Sequence, residues 1–482
     1  MHRQSMENKK SLSEQYCHDI LGLGINRSKA TANLVMAMSS YQDAESMVEF
    51  SLSPLYNYQF SSVFKSTTLL ARDNKEYESA KAQILDLCLK YAPNNKRISL
   101  QTDVTPIEKK YSSTLEERQY INIPNTVIKG NKPITIGYPL SSVNLSCESK
   151  WSLPLVRSRV PLEETQSTQA VKQLQSLVPQ LCKELGCELV VNSTDSTYTH
   201  AAYLAPLYEQ DKLVCISRFR YRSKVYTPAK GDNPKGAPKI YQDCFYLLND
   251  TQVARGVVKK TGKPFEKIQT SIHELPCDKT LQFDAVTKKG KPLKIELYRW
   301  NDLKIRSKKG NCMKHKPFDL VGVQVTNAKT GKALYKRQMF FGIFGKQKQQ
   351  ISTKESYEEY RGRYDIEPSF RFNKQDLFLD KYLCEDVQHL DNFFLINQLA
   401  NWLLYTAADD VQFVPRKWEV NKSAPVEKAE KLSIAKTYRS AEKLFLTFDE
   451  KPFLPKPAKK GKGNIKQKRS HFPVVKKPKN KP

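Results

Sequence analysis

At Asn95 the hydrophobic spacing of this chain changes from helical to alternating, and no other feature constrains its fold as much. RISLQTD, starting at Arg97, sets Ile98, Leu100 and Thr102 on one face of a strand and Ser99, Gln101 and Asp103 on the other. INIPNTVIKGNKPITIGYPL follows, with Lys129-Gly130-Asn131 as a turn between two strand-like runs. A long amphipathic helix comes next: Val171, Leu174, Leu177, Val178, Leu181 and Leu185 mark its apolar face, and Gly186 closes it as a C-cap. CELVVNSTDSTYTHAAYL then reads as a buried strand, a loop and a short helix, and KLVCISRF as a further strand. Strand, strand, strand, helix, strand, helix, strand is an α/β order.

Other patterns flank this core. Residues 1–94 read as short helices, with AKAQILDLCLKYAP stopping at Pro93; the block is either a small DNA-binding domain or a helical cap on the next one. Residues 95–218 form the first part of the core. Residues 219–349 are basic and rich in strand formers. LKIELYRWNDLKI and DLVGVQVTNAKTGKALYKRQMFFGIFG predict antiparallel β structure, the second turning at Ala328-Lys329-Thr330-Gly331, so this stretch is a β-rich insertion. Helices return over 350–448 as the second part of the core, most clearly in HLDNFFLINQLANWLLYTA. The basic tail, 449–482, has no acidic residue from Lys451 onward, and its Lys, Pro and Gly predict disorder. It is either a solubilising tail or, the preferred reading, an arm adding phosphate contacts.

Charge narrows the partner. With 79 Lys+Arg against 50 Asp+Glu, the net charge of +29 calls for a polyanion, either nucleic acid or an anionic membrane surface. No apolar run approaches the ~18 residues needed to span a bilayer. MHRQSMENKKSLSEQYC lacks the apolar core of a signal peptide. Nucleic acid is therefore the expected partner, without a membrane. The ten cysteines include no Cys-x-x-Cys pair, and Cys312 with His315 has no second pair beside it, which argues against a zinc ribbon. They read as reduced residues of a cytoplasmic protein. The seven histidines form no pair at ligand spacing, against an HNH or Cys-His nuclease; His200, five residues after Asp195, caps or packs.

The segment YRGRYDIEPSFRFNK, 360–374, carries the sharpest chemical signal. On one continuous helix Tyr360, Arg363, Glu367 and Lys374 would share an arc of roughly 60°, and Arg371 falls on the same face. Pro368 cannot donate to the carbonyl of Tyr364, which predicts a kink or break there. The segment is either a surface helix with Glu367 paired to Arg363 or Arg371, or a site that holds a metal ion and grips phosphates. Two-metal phosphoryl transfer needs about three carboxylates, and Mg²⁺ or Mn²⁺ suits hard oxygen ligands. Asp103 ends the strand RISLQT, and Asp195 follows the strand ELVVNST. Strand C-termini are where α/β sheets build sites. A single strand-end aspartate is most often a turn or cap residue; the ordered set of three favours a site. Asp73 and Asp86 lie upstream, but Asp103 alone ends an alternating strand.

The spacing Y-x2-R-x3-E-x6-K at Tyr360, Arg363, Glu367 and Lys374 resembles the signature of DDE transposases of bacterial insertion sequences, in the group called insertion sequence family four. The layout is similar as well: a helical N-terminal DNA-binding region, then an RNase H-like core with a β-rich domain between the second Asp and the Glu. The resemblance covers about 95–410 in organisation. It is sharp at 360–374, moderate at DSTY (195–198) and softer at TDVT (102–105). It implies that Asp103, Asp195 and Glu367 are catalytic carboxylates holding two Mg²⁺ (or Mn²⁺) ions, and that Tyr360, Arg363 and Lys374, joined by Arg371, hold DNA phosphates near the cleaved end. It further implies binding of terminal inverted repeats in double-stranded DNA, cleavage, joining of the freed 3′-OH to target DNA, a homodimer in the DNA synaptic complex, and a nucleoid-associated place in the bacterial cytoplasm. Trp300 either packs on the β core, the favoured reading, or stacks on a flipped base. The alternatives are a decayed or repurposed DNA-binding protein and an RNase H-like nuclease without strand transfer.

Overall fold

Strand β1 (Arg97–Glu108) belongs to both of the units into which the chain divides. Unit 1 comprises residues 1–94, 103–169 and 365–482; unit 2 comprises 95–102 and 170–364. The chain passes from unit 2 to unit 1 between Thr102 and Asp103. The computed structural model describes residues 10–123, 133–229, 240–257, 264–287, 290–306, 312–413, 415–416 and 431–448. The basic tail and the turn expected at 129–131 lie outside these residues.

In unit 2, the first half of β1 pairs in parallel with β5 (Leu189–Thr194), from Arg97 opposite Leu189 to Gln101 opposite Ser193. β5 pairs in parallel with β6 (Leu213–Arg218). All six residues of β5 are buried, as the apolar run in the sequence requires of a strand covered on both faces. Helix α5 (Gln166–Glu184) precedes β5 and ends as its spacing predicts, with Gly186 in the left-handed region at φ +61°. α6 (Ala201–Tyr208) joins β5 to β6. Beyond β6 the sheet becomes antiparallel through β14 (Met339–Phe344), β13 (Phe318–Asn327), β12 (Pro292–Leu303) and β11 (Lys279–Val286). The stretch 219–349 is thus rich in strands, and its last four extend the sheet from β6. Two further ribbons are two-stranded sheets: β7 (Lys224–Pro228) with β8 (Tyr241–Tyr246), bridged through Tyr226 to Lys304 just past the end of β12, and β9 (Gln252–Val257) with β10 (Pro264–Gln269).

Helix α7 (Thr353–Gly362) packs on this sheet: Tyr357 and Tyr360 join Val191, Ile216, Val321 and Phe341 in one core. Its start is fixed by a capping box. The Ser352 hydroxyl accepts from the Glu355 N–H, and the Glu355 carboxylate accepts from the Ser352 N–H. Just upstream, the fully buried Asp319 carboxylate accepts from Arg299 at 2.5 Å and from Lys348, while Arg299 also donates to the carbonyl of Ile351. That ion cluster ties the segment leading into α7 to β12 and β13. Trp300 is buried and donates its indole N–H to the carbonyl of Leu275 at 2.9 Å, which is the packing role.

In unit 1, the rest of β1 lies beside β3 (Ile134–Ser146), with the Lys109 N–H donating to the carbonyl of Ile136 at 2.9 Å. The approach is so close that a Cβ at Gly137 would meet the oxygen of Ile107 at 2.0 Å. β3 pairs antiparallel with β2 (Gln119–Asn122) and β4 (Ser152–Arg159). Helix α9 (Val387–Ala407) is buried at every residue from Asn392 onward, and its buried amides Asn392, Asn397, Gln398 and Asn401 are each hydrogen-bonded. Packed on it are α1 (Leu12–Gly22), α2 (Ser28–Met38), α3 (Ser61–Thr68), α4 (Asn74–Lys90), α10 (Ile434–Phe445) and β4.

Two structural expectations are corrected. β1 does not end at Asp103 but runs to Glu108, because its second half gains β3 as a neighbour. Residues 360–374 are not one helix: α7 stops at Gly362, a 3₁₀ turn spans Arg363–Asp365, and α8 (Ile366–Gln375) starts anew in unit 1. Pro368 stands in the first turn of α8, where its missing N–H is no loss, so the break falls before it. All ten cysteines are free, and no helix of the described residues is long and apolar enough to cross a membrane.

Candidate active site

The C-terminal ends of the parallel strands in unit 2 are joined by buried polar side chains. The Thr102 hydroxyl donates to Asn192 Oδ1 at 2.7 Å, Asn192 Nδ2 donates to the Tyr203 hydroxyl at 2.7 Å, and Thr194 and Ser217 share a hydrogen bond of 2.6 Å. An amide in the middle of an apolar strand is costly to bury unless fully paired. Here it fixes β1, β5 and α6 at one level. Asp195 follows at once. Its half-buried carboxylate accepts from the N–H of Thr197 at 2.8 Å and from that residue's hydroxyl at 3.1 Å, an Asx turn that holds it at the strand end. His200 stands at the N-cap of α6 without a side-chain cap bond; burial, helped by nearby Arg220, lowers its pKa. The run RFRYRSK after β6 leaves Arg218, Arg220 and Arg222 exposed on the loop side of the strands.

α7 crosses these strand ends. Gln101 Nε2 donates to the carbonyl of Gly362 at 2.7 Å, Ser99 donates to Glu359 at 2.8 Å, and Ser193 donates to the carbonyl of Glu359 at 3.3 Å. Burial raises the pKa of Glu359 against the opposing effects of Ser99 and Arg97. Tyr360 is wholly buried, stacked on Phe341 with centroids 5.2 Å apart, and burial raises its phenol pKa. Arg363 is buried too. Its guanidinium lies 5.9 Å from the Tyr360 ring centroid and 4.5 Å from that of Tyr364. Tyr360 and Arg363 are therefore brought together, at the sheet end of unit 2.

Unit 1 carries the other expected residues. Asp103 is half-buried, and its carboxylate accepts from the N–H of Val104 at 2.8 Å. Lys374, half-buried on α8, donates to the carbonyl of Pro106 on the same strand and lies 3.5 Å from Asp380. Burial raises the pKa of Asp380. Glu367, in the first turn of α8, and Arg371 are exposed. Behind them, Asn373 is locked by Asn401 and by Arg157 Nη1 at 3.1 Å. Arg157 is buried, burial lowers its pKa to about 9, and its remaining contacts are Ser142 and Asn397.

Sequence spacing missed Glu359, Asn192, Arg157 and the exposed arginines. Only two left a signal: the polar interruption in VVNST, and the alternating arginines of RFRYRSK. Three carboxylates are a donor set of the chemistry Mg²⁺ and Mn²⁺ prefer. Among the described residues, no three His, Cys, Asp or Glu side chains lie together closely enough to hold a metal ion. Asp103 and Glu367 belong to unit 1 and Asp195 to unit 2. No curated protein matches the chain. One family pattern does, over residues 22–263, which include Asp103 and Asp195 and stop short of 360–374; it is described as DDE superfamily endonuclease.

Proposed function

The chain belongs to the DDE superfamily endonuclease family, and from that premise we propose that it is a DNA transposase of the insertion sequence family four type, binding the terminal repeats of its own element, cutting there and joining the freed ends to a target. Endonucleases of this superfamily act on DNA and are generally divalent-metal dependent, and a mixed α/β fold with a large mixed sheet fits them. The observation that carries the finer reading is the paired strand ends. Gln101 opposite Ser193 is the last pair of β1 and β5, and two residues further along each segment stands an aspartate, Asp103 within β1 and Asp195 just after the end of β5. The Y-x2-R-x3-E-x6-K spacing supplies the third carboxylate, Glu367.

In this reading Asp103, Asp195 and Glu367 hold the metal ions. Two bound Mg²⁺ or Mn²⁺ ions would supply an activated attacking oxygen and charge neutralisation at the leaving one. The rest is positioning. Thr102, Asn192 and Tyr203 fix the strand ends, the Asx turn aims Asp195, and the Arg157–Asn373 contact holds α8. Arg363, Arg371 and Lys374 neutralise phosphate oxygens, Arg363 as a planar fork and Lys374 as a point charge. Tyr360 backs Arg363 through its ring. Arg218, Arg220 and Arg222 extend the phosphate track, and residues 219–349 act as the insertion between the second and third carboxylates. Synapsis of two DNA ends makes the working form a homodimer.

The test is Mg²⁺-dependent cleavage of a duplex bearing the element's own ends, wild type beside Asp103→Ala, Asp195→Ala and Glu367→Gln. Each variant should lose cutting and keep end binding, and near-normal cutting by any one removes that residue from the site. A second reading, a family member that binds DNA without cutting, is favoured by the absence of a three-carboxylate group among the described residues. Wild type that binds its ends but cuts in neither Mg²⁺ nor Mn²⁺ establishes that reading instead.

A further inference from the structure

The end of helix α5 brings two thiols together. It reads LCKELGC, from Leu181 to Cys187. The Leu185 N–H still donates to the carbonyl of Leu181 at 2.9 Å, and Gly186 then reverses the chain at φ +61°. In a helix end capped by a left-handed glycine, the residue after the glycine folds back onto the last turn, and the two side chains that meet are usually apolar. Here they are cysteines. The sulfurs of Cys182 and Cys187 lie 3.5 Å apart, with the Cys187 thiol donating to Cys182.

The two thiols differ in access. Cys182 is half-buried, whereas Cys187 is wholly buried and its carbonyl accepts from Lys212 Nζ at 3.3 Å. Burial, together with the neighbouring Cys182, pushes the Cys187 thiol up to about 12. Cys187 is therefore inert toward solutes, and Cys182 is the sulfur that a solute reaches. We propose that Cys182 and Cys187 form a reversible oxidation site, a thiol pair that a small disulfide of the glutathione class converts into a protein disulfide. The Cys182 thiolate attacks one sulfur of oxidised glutathione, forms a mixed disulfide and releases one glutathione, which takes up the proton. Cys182 then carries no charge to oppose ionisation of Cys187, and nearby Lys212 favours the Cys187 thiolate. Cys187 attacks the Cys182 sulfur, and its proton leaves with the second glutathione. In all, two protein thiols lose two electrons and two protons, and one glutathione disulfide becomes two thiols. The bond ties the last turn of α5 to the segment entering β5, the strand that carries Asn192 and leads to Asp195. Reduced glutathione reverses it, as a transient disulfide of a reducing compartment requires.

The experiment incubates the full chain, reduced and then freed of reductant, with oxidised and reduced glutathione in varied ratio, both folded and in urea. Thiols are then trapped by alkylation. In the folded chain the thiol count should fall from ten to eight, and the mass by about 2 Da with no glutathione retained. Trypsin, cutting after Lys183, should release residues 173–183 joined to 184–212, and dithiothreitol should separate them. Cys187→Ser should retain one glutathione, on Cys182, and Cys182→Ser should retain none. Because the fold already holds the sulfurs in contact, the equilibrium constant for the bond should be about tenfold or more larger in the folded chain than in urea. Wild type that keeps glutathione on Cys182 overturns the proposal, since the second sulfur then fails to reach the first. A bond no more favourable folded than unfolded overturns it as well, because the fold then does nothing to bring the pair together. So does a folded chain that keeps all ten thiols at every ratio. None of these outcomes bears on the DNA-acting reading.

Discussion

Lys109 is buried, with its ammonium donating to the carbonyls of Asp380 and Tyr382, and burial lowers its pKa to about 8. An unfolded lysine keeps its proton to near 10.4. Between those values the unfolded chain binds more protons than the folded one, so this residue's contribution to stability rises with pH. Urea unfolding of wild type and Lys109→Met at pH 8 and pH 9 should shift the difference in favour of wild type by about 1 kcal/mol. Asp319 poses the opposite case, an anion that compensates two buried cations. Asp319→Ala leaves Arg299 and Lys348 without it and should cost about 3–5 kcal/mol in chemical denaturation. Neither role was legible in the sequence, where a lone Lys or Asp reads as surface. Asp103, Asp195 and Glu367 were legible as candidates because order and spacing, rather than environment, pick them out.

Elements were legible where one physical signal dominates. α5 and its Gly186 cap, the buried strand β5 and the long helix α9 follow directly from the sequence pattern. β4 was missed, because SLPLVRSR is short, contains a proline, and becomes a strand only by pairing with β3. The length of β1 was missed for the same reason. Gly137 marks that dependence: with an Ile107 oxygen where a side chain would start, Gly137→Ala should push β3 from β1 and cost about 3 kcal/mol, readable as a fall in the thermal midpoint. The break between α7 and α8 was expected at Pro368 and occurs before it. A proline ends a helix only where its N–H is needed, and which turn it occupies depends on where the second helix starts.

At the scale of the whole molecule, charge was the most legible property. If the tail adds phosphate contacts, deleting residues 454–482 should flatten the plot of log affinity against log salt, by about 0.9 per lost contact; an unchanged slope makes the tail a bystander. The division into two units was not legible, since it rests on contacts between distant segments: unit 1 takes three pieces of chain and unit 2 takes two. That interleaving sets a timetable for biosynthesis. Helices α1 to α4 are complete by Lys90, but their packing partner α9 begins only at Val387. At about 5–20 residues per second, the ribosome needs on the order of 15 to 60 s to make the intervening chain. For that interval the first helices can close on one another but the faces they present to α9 stay open, and whatever shields nascent chains must wait with them.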